Sequence, residues 1–175
     1  MILPSRIGMI FAQSLNKVIG RDNQIPSEFP SDLAYFKEKT LNSTVIMGRK
    51  TWESLPRKPL PGRKNVILTS QKNYPVPDGV EVISDIEDLE VTTPSLMFIG
   101  GTSVYELAKR YVNEIYVTYN LVFAQGDTYA PNLQDLLSSP NWYLDSENRE
   151  VKDGVSVIYR TYKKGIPSCL MHCQV

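Results

Sequence analysis

Residues 44–55 include the side-chain types that bind phosphate groups. An apolar run ends at Gly48 and is followed at once by Arg49, Lys50 and Thr51, where a short helix is predicted to begin. Backbone N–H groups at a helix N-terminus have no partner within the helix, and the helix dipole adds partial positive charge there. A strand, a glycine and a helix start bearing two cations and a hydroxyl therefore predict a site for an anionic ligand.

A second glycine turn follows the apolar residues 95–99. Gly100 and Gly101 allow the backbone to approach a pyrophosphate closely, and Thr102 and Ser103 add hydroxyl donors. The full G-x-G-x-x-G spacing is absent, so an ordinary strand-to-helix turn is the alternative interpretation. Two such turns in one sheet favour a ligand site, because open α/β sheets bind ligands at the carboxyl ends of their parallel strands.

Asp32 lies in the first turn of a predicted helix, and residues three and four positions later, Tyr35 and Phe36, share its face. One interpretation is a carboxylate that complements the helix dipole beside core aromatics. The other is a half-buried carboxylate that binds the amidine-like edge of a heterocycle, whose ring packs on Phe36. In that case burial raises the pKa of Asp32 and allows the carboxyl to take part in proton delivery.

The elements that must position these residues alternate along the chain. We expect strands over residues 6–14, 44–48, 65–70, 80–84, 95–99 and 113–123, then a closing antiparallel pair over 142–147 and 155–163. We expect helical segments over residues 31–40, 50–55, 85–90, 102–110 and 132–137, with Ser31 and Ser84 as N-caps, and a long polar loop over 15–30. The pattern predicts an α/β single domain: a mostly parallel central sheet with an antiparallel C-terminal edge strand and flanking helices.

The composition is typical of an ordinary soluble globule, with 175 residues, 42% hydrophobic and 22% charged. Because 19 basic residues balance 19 acidic ones, no net charge attracts the chain to nucleic acid or a membrane. No segment approaches the roughly 18 apolar residues of a membrane span, and the start lacks a signal-like apolar run. We expect a cytoplasmic protein with one domain over residues 1–164 and a flexible tail over 165–175.

Cys169, His172 and Cys173 all lie in that tail. A metal site there would need a fourth ligand and a folded scaffold, and the other interpretation is a frayed terminus. The rest of the chain has no His and no Cys, which excludes Ser-His and Cys-His nucleophilic catalysis and His-based metal sites from the main body. An enzyme of this sequence would therefore depend on a cofactor for its chemistry, and no metal is expected.

Nine short motifs, by their order and spacing, resemble those of dihydrofolate reductases across residues 6–163. They are Ile10-Phe-Ala12, Lys17-Val-Ile-Gly20, Ile25-Pro26, Pro30-Ser-Asp-Leu-Ala-Tyr-Phe-Lys37, Val45-Ile-Met-Gly-Arg-Lys-Thr-Trp-Glu-Ser54, Leu60-Pro-Gly-Arg63, Ile99-Gly-Gly101 with Tyr105, Tyr116-Val-Thr118 and Gly126-Asp-Thr128. The resemblance implies NADPH-dependent reduction of 7,8-dihydrofolate to tetrahydrofolate, with hydride transfer to C6 and protonation of N5. That reaction supports one-carbon metabolism and thymidylate synthesis.

The resemblance also assigns a substrate site. Asp32 would bind the 2-amino group and N3 of the pterin, with Thr118 behind it, and these two are the expected catalytic residues. Arg63 would pair with the α-carboxylate of the folate glutamate, a task that suits the planar guanidinium better than an ammonium. The apolar walls of the pocket would be Ile10, Phe36 and Leu55.

NADPH is the implied cofactor. Its nicotinamide would contact Ala12, Ile19 and Gly20, with Val18, Asn23 and Gln24 as further cofactor-binding residues. Its phosphates would be held by Arg49, Lys50, Thr51, Thr69 and Ser70, and its pyrophosphate by Ile99, Gly100, Gly101, Thr102, Ser103, Val104 and Tyr105. The resemblance further implies a cis peptide between Gly100 and Gly101, and closure of the loop over residues 15–30 above the nicotinamide.

Three departures from the family pattern accompany the resemblance. Ser27 stands where the family usually has a tryptophan, Thr102 and Ser103 follow Gly-Gly where a glycine or basic residue is frequent, and residues 56–59 include an extra position. Two alternatives remain: a related NADPH-dependent pyrimidine reductase, and a catalytically silent nucleotide-binding or structural protein. The expected partners are two small molecules, dihydrofolate and NADPH, with no nucleic acid or membrane, and the expected state is a monomer.

Overall fold

A computed structural model describes residues 3–165. The tail residues Cys169, His172 and Cys173, with both interpretations of them, lie outside the described residues. The strands are β1 (Arg6–Gln13), β2 (Val18–Gly20), β3 (Thr44–Gly48), β4 (Lys64–Leu68), β5 (Val80–Ile83), β6 (Ser95–Phe98), β7 (Glu114–Asn120), β8 (Thr128–Tyr129), β9 (Trp142–Lys152) and β10 (Val155–Lys164). The helices are α1 (Leu33–Thr40), α2 (Arg49–Ser54), α3 (Thr102–Ala108) and α4 (Gln134–Leu137), with a 3-10 turn over Ile86–Asp88.

Eight strands form the main sheet in the order β5-β4-β3-β6-β1-β7-β10-β9. The pairs from β5 to β7 are all parallel, whereas β10 is antiparallel to both β7 and β9. This topology confirms the predicted fold: a mostly parallel sheet with an antiparallel C-terminal edge. Within residues 3–165, no helix has the length and apolar character needed to cross a membrane.

Both faces of the central strands are buried, which explains their unbroken apolar sequences. In β1, Met9 and Phe11 belong to one apolar cluster, and Ile10 between them belongs to a second cluster on the opposite face. In β3, Ile46 joins the first cluster and Val45 the second. The alternation follows from the two-residue period of a strand, and it fixes which side chains lie on each face of the sheet.

The segment over residues 15–30 was expected to be a loop without strands, and that expectation is wrong. Strand β2 within it pairs with β8, and beyond β2 the backbones of Arg21 and Gln24 exchange two hydrogen bonds of 2.9 Å. The two residues between them, Asp22 and Asn23, have φ values of 49° and 60°. Positive φ at both central positions is the geometry of a type I′ hairpin turn, which Asp and Asn tolerate better than most residues.

Several boundaries also differ from the sequence expectations. Strand β9 continues to Lys152 instead of residue 147, because a tight turn at Asp153-Gly154, with φ values of 49° and 77°, keeps the hairpin paired to its tip. Strand β7 ends at Asn120 instead of residue 123. Asp32, not Ser31, is the N-cap residue of α1, and Asp85, not Ser84, caps the 3-10 turn by accepting from the Glu87 N–H.

Candidate active site

The two glycine turns predicted from the sequence meet in the structure, because β3 and β6 are parallel neighbours. The Gly48 N–H donates a hydrogen bond of 2.8 Å to the Gly100 carbonyl. The peptide between Gly100 and Gly101 is cis, as expected. Gly100 has φ 122°, and a Cβ there would lie 3.3 Å from the Thr51 hydroxyl oxygen, so the side chain of the first turn lies directly against the second.

Tyr105 lies beneath this double turn and is 4% exposed. Its hydroxyl donates a hydrogen bond of 2.8 Å to the Ile10 carbonyl, and its ring packs on Phe11 at 5.3 Å between centroids. Burial raises the pKa of Tyr105, so the hydroxyl stays protonated and keeps donating. Tyr105 therefore forms the floor of the turn, while Thr102 and Ser103 above it are exposed.

The donors around the double turn fit the phosphates of a dinucleotide. The N-cap residues of α2 and α3 are Gly48 and Gly101, and neither offers a side chain to the first N–H groups of its helix. Arg49 forms an ion pair with Glu53, at 2.9 Å. Exposed ion pairs four residues apart are weak, so Arg49 retains N–H groups that a phosphate can share. Lys50 beside it is exposed.

Thr69 and Ser70 follow β4 and line a surface groove one strand further along the sheet. The Thr69 N–H donates a hydrogen bond of 3.0 Å to the Ile83 carbonyl on β5, which fixes the backbone at this point. Lys72 lines the same groove and was not identified from the sequence. Its position among polar residues just after a strand end is the signal that would have indicated it.

The expected cofactor-binding residues in and around β2 differ in exposure: most of them reach solvent, and one is buried in the core. Ala12, Ile19 and Gly20 are partly exposed, and Asn23 and Gln24 are exposed beside the hairpin turn. Val18 does not lie with them: its side chain is 1% exposed, and its N–H and carbonyl are both bonded to Ser14. Its role is to anchor β2 in the core, and Ile99 and Val104 are likewise core residues, 7% and 2% exposed.

The β2 segment is attached to residues 126–128. A Cβ on Gly126 would overlap Val18 and the Gly20 carbonyl, so only glycine permits this approach. The Asp127 N–H donates to the Gly20 carbonyl at 3.1 Å, and the Asp127 carboxylate accepts from the Asp22 N–H at 3.0 Å. The Asp22 N–H, followed by the Thr128 hydroxyl, lowers the pKa of Asp127. The carboxylate therefore stays ionised, and keeps accepting from the turn, as the pH falls through the usual titration range of aspartate.

Replacing Asp127 with alanine is expected to release the turn at residues 21–24 and to lower kcat roughly tenfold, the effect of losing about one charge-assisted hydrogen bond from a closing loop. Steady-state kinetics test this, with exposed Asp78→Ala as the control. Because the pKa of Asp127 is depressed, wild-type loop attachment should persist on acidification until the pH falls below the ordinary aspartate range. Equal kcat values for both variants would contradict the assignment.

Asp32 and Thr118, the two expected catalytic residues, lie together in the structure. Asp32 is half-buried, and Thr118, on β7, is 2% exposed. Burial raises the pKa of Asp32, while the charge of Lys152 and hydrogen bonds from the backbone and the Thr118 hydroxyl oppose the rise. Sequence reasoning missed Lys152, which lies on β9 at the far end of the chain.

Tyr35 packs against the second apolar cluster, as Phe36 does. Its ring packs on Tyr159 of β10, with 4.5 Å between centroids, and burial raises the pKa of Tyr35 to about 12. Tyr35 is thus a neutral packing residue that joins α1 to the sheet.

Arg63 lies at the C-terminal end of α1. Its guanidinium donates to the Thr40 hydroxyl at 3.0 Å and to the Pro61 carbonyl at 2.9 Å, and lies 6.0 Å from the centre of the Phe36 ring. Burial lowers the pKa of Arg63 from a very high starting value, so the group remains a cation. Ile10, Phe36 and Leu55 belong to one apolar cluster, so the structure brings the three expected wall residues together.

Known proteins resemble this chain in both sequence and fold. The family model for dihydrofolate reductase matches residues 6–164. Dihydrofolate reductase of Mycobacterium tuberculosis is 42% identical over 134 residues, covering 74% of this chain and 82% of the relative. That of Bacillus subtilis is 39% identical over 150 residues, covering 84% and 86%.

A solved structure agrees with these matches. Dihydrofolate reductase from Enterococcus faecalis, complexed with NADP(H) and RAB-propyl, superimposes with a TM-score of 0.80 at 28% identity, covering 92% of this chain and 97% of the other. The residues that the family model matches, 6–164, include the double glycine turn, Asp32 and Arg63. This chain belongs to the dihydrofolate reductase family.

Proposed function

We propose that this chain catalyses the NADPH-dependent reduction of 7,8-dihydrofolate to 5,6,7,8-tetrahydrofolate, in the cleft between α1 and the double glycine turn. The observation that carries the proposal is the half-buried Asp32 beside Thr118, in a chain that belongs to the dihydrofolate reductase family. The body of the chain lacks His and Cys, so a carboxylate and a nicotinamide cofactor are the groups suited to this chemistry.

Asp32 has two tasks in this mechanism. Its carboxylate accepts hydrogen bonds from the 2-amino group and N3 of the pterin, which fixes the orientation of the ring. Its negative charge, in a partly desolvated cleft, raises the basicity of the pterin and so favours protonation of N5 by water. The Thr118 hydroxyl beside the carboxylate lowers its pKa and so favours the ionised form.

The residues of the double turn would hold NADPH, which supplies the hydride that C6 accepts. Thr51, Thr102 and Ser103 offer hydroxyls, the first N–H groups of α2 and α3 have no side-chain caps, and Arg49 and Lys50 offer positive charge. These donors suit the pyrophosphate and the ribose phosphate.

Ser27 is the departure with mechanistic weight. Its side chain is exposed, and its hydroxyl lies 3.4 Å from the Glu28 carboxylate. The indole that is usual in the family helps to order a water near the substrate, and serine has no such ring, so we expect altered or slower proton delivery to N5. Proton delivery to N5 then depends on Asp32 for its driving force and on open water for its source.

The direct test is the loss of NADPH absorbance when dihydrofolate is added to the purified protein, with inhibition by an antifolate as confirmation. We expect both. If the protein binds NADPH without ever oxidising it, the silent alternative is correct. If it oxidises NADPH with a pyrimidine intermediate but not with dihydrofolate, the related-reductase alternative is correct, although the Asp32 and Arg63 pair argues against it.

We also infer that the protein is monomeric and cytoplasmic. Strand β9 is an outer edge of the main sheet and has the charged residues Asp145, Glu147, Arg149, Glu150 and Lys152. Charged edge strands resist pairing with a second copy, which supports the monomer. The cytoplasmic location rests on the ordinary composition. Light scattering tests the monomeric state, and cell fractionation tests the location.

A further inference from the structure

The β9–β10 hairpin reaches across the sheet to the start of α1. The register places Thr118 of β7 opposite Tyr159 of β10, and Tyr159 opposite Asn148 of β9, so the hairpin lies immediately beside the strand that contributes Thr118. Tyr159 packs on Tyr35 of α1, which ties the hairpin to the helix that begins after Asp32.

Lys152 is the last residue of β9 and pairs with Val155 across the tight turn at the hairpin tip. Its ammonium lies 3.5 Å from the Ser31 carbonyl oxygen, the acceptor of the peptide that joins Ser31 to Asp32. It lies 3.3 Å from the Glu150 carboxylate and 5.8 Å from the centre of the Tyr159 ring. The Ser31 carbonyl before α1, Glu150 on β9 and Tyr159 on β10 thus surround the ammonium and place a positive charge at the backbone of Asp32.

Glu150 is itself held, because the Tyr159 hydroxyl donates to it at 2.6 Å. The Tyr159 hydroxyl and Glu150 raise the pKa of Lys152, so the ammonium remains charged throughout the physiological range. The side chains that act on the Asp32 carboxyl are Lys152 on β9 and the Thr118 hydroxyl on β7, and the Asp32 charge in turn acts on Tyr35 of α1. Glu38 and Lys39 on α1, Tyr159 on β10 and Glu150 on β9 line a neighbouring groove between α1 and the hairpin. Of the charged side chains, Lys152 is the one that acts on the Asp32 carboxyl.

We propose that Lys152 is a positioning residue for Asp32: from the hairpin tip its ammonium holds the Ser31–Asp32 peptide and places a positive charge beside the residue that is expected to bind the pterin. Glu150 moderates this effect by sharing the ammonium. The proposal rests on the proposed function only for the identity of the ligand, because the interaction between Lys152 and Asp32 exists in the free protein.

The test compares Lys152→Gln, Lys152→Arg and Glu150→Gln with wild type, and uses Lys164→Gln, an exposed lysine on the partner strand, as the matched control. Folate is the probe, because a pterin edge needs two acceptor oxygens and a protonated carboxyl loses acceptor capacity. Folate affinity is measured by fluorescence at pH 5.5 and pH 7.5. The titration of the Asp32 carboxyl carbon, assigned through Asp32→Asn, is followed by NMR in the free protein.

We expect Lys152→Gln to move the Asp32 titration to higher pH and to increase the loss of folate affinity between pH 7.5 and pH 5.5 by about two- to fivefold, the range for a partly exposed charge pair. Glu150→Gln should move the Asp32 titration to lower pH and reduce the loss of folate affinity, because the ammonium is then no longer shared with a carboxylate at residue 150. Lys152→Arg and Lys164→Gln should resemble wild type. A Lys152→Gln titration identical to wild type overturns the proposal, and so does a Glu150→Gln shift in the same direction as Lys152→Gln.

These outcomes are independent of the proposed function. If the purified protein fails to reduce dihydrofolate, the proposed function is wrong, yet the Asp32 titration still measures the effect of Lys152. If the protein reduces dihydrofolate but Asp32 titrates identically in wild type and Lys152→Gln, only the positioning role of Lys152 is wrong.

Discussion

Asp32→Asn is expected to lower kcat/KM for dihydrofolate at pH 7 by about 100-fold or more, the lower range for removing a group that drives proton transfer. The amide retains the shape of the side chain but has neither the negative charge nor the second acceptor oxygen. Part of the loss should be recovered as the pH falls, because a substrate already protonated at N5 needs less help from the carboxylate. Steady-state kinetics between pH 5 and pH 8 test this.

Glu38→Gln, a change of the same kind at an exposed position of the same helix, is the control and should leave turnover unchanged. Near-normal turnover of Asp32→Asn at pH 7 would contradict the catalytic role. Burial raises the pKa of Asp32, so the native state binds the proton more tightly than the unfolded chain. The free energy of unfolding therefore falls as the pH rises from the ordinary pKa of aspartate through the raised pKa of Asp32. Because the amide of Asp32→Asn never ionises, this variant should raise the melting temperature at pH 7 but not at pH 4.

Arg63→Leu is expected to raise the KM for dihydrofolate by about 100-fold with a much smaller change in kcat, the range for losing one member of a charge pair. The guanidinium is anchored by Thr40 and Pro61, so its free N–H groups are already oriented for a carboxylate. The KM of Arg63→Lys should fall between those of wild type and Arg63→Leu, because an ammonium retains the positive charge but cannot bind a carboxylate through a planar fork.

A substrate that lacks the glutamate distinguishes this role from general damage. For a dihydropteroate substrate, the KM should be the same for wild type and Arg63→Leu. Arg110→Leu, at an exposed position two residues after α3, is the control for removal of a surface arginine. Melting temperatures check that Arg63→Leu remains folded. Equal losses for both substrates would show that Arg63 supports the fold and not the ligand.

The sequence predicted the buried strands well and the peripheral ones poorly, for a physical reason. Residues 44–48 and 95–99 are buried on both faces, so their continuous apolar runs have no other good explanation. The second half of β9 is largely exposed and charged, so it has no apolar period to detect. Strands of two or three residues, such as β8 and β2, are too short to show any period.

The candidate site divides in a similar way. Asp32 and the two glycine turns were identified from local motifs, because each combines its chemistry within a few consecutive residues. Lys152 lies 121 positions from Ser31 along the chain, and only the folded hairpin brings its ammonium to the Asp32 backbone. Val18 was placed with the cofactor on the strength of its neighbours, whereas the two-residue period of β2 turns its side chain into the core.

The hydrogen bond from Tyr105 to Ile10 has a thermodynamic consequence. Tyr105 lies under the turn expected to hold the pyrophosphate, and Ile10 is an expected wall of the pterin pocket, so one bond of 2.8 Å joins the two ligand sites. When the binding of one ligand changes the affinity for another, the coupling free energy is reciprocal. If NADPH tightens the binding of folate by some factor, folate must tighten the binding of NADPH by the same factor, and Tyr105→Phe is the substitution that should reduce both equally.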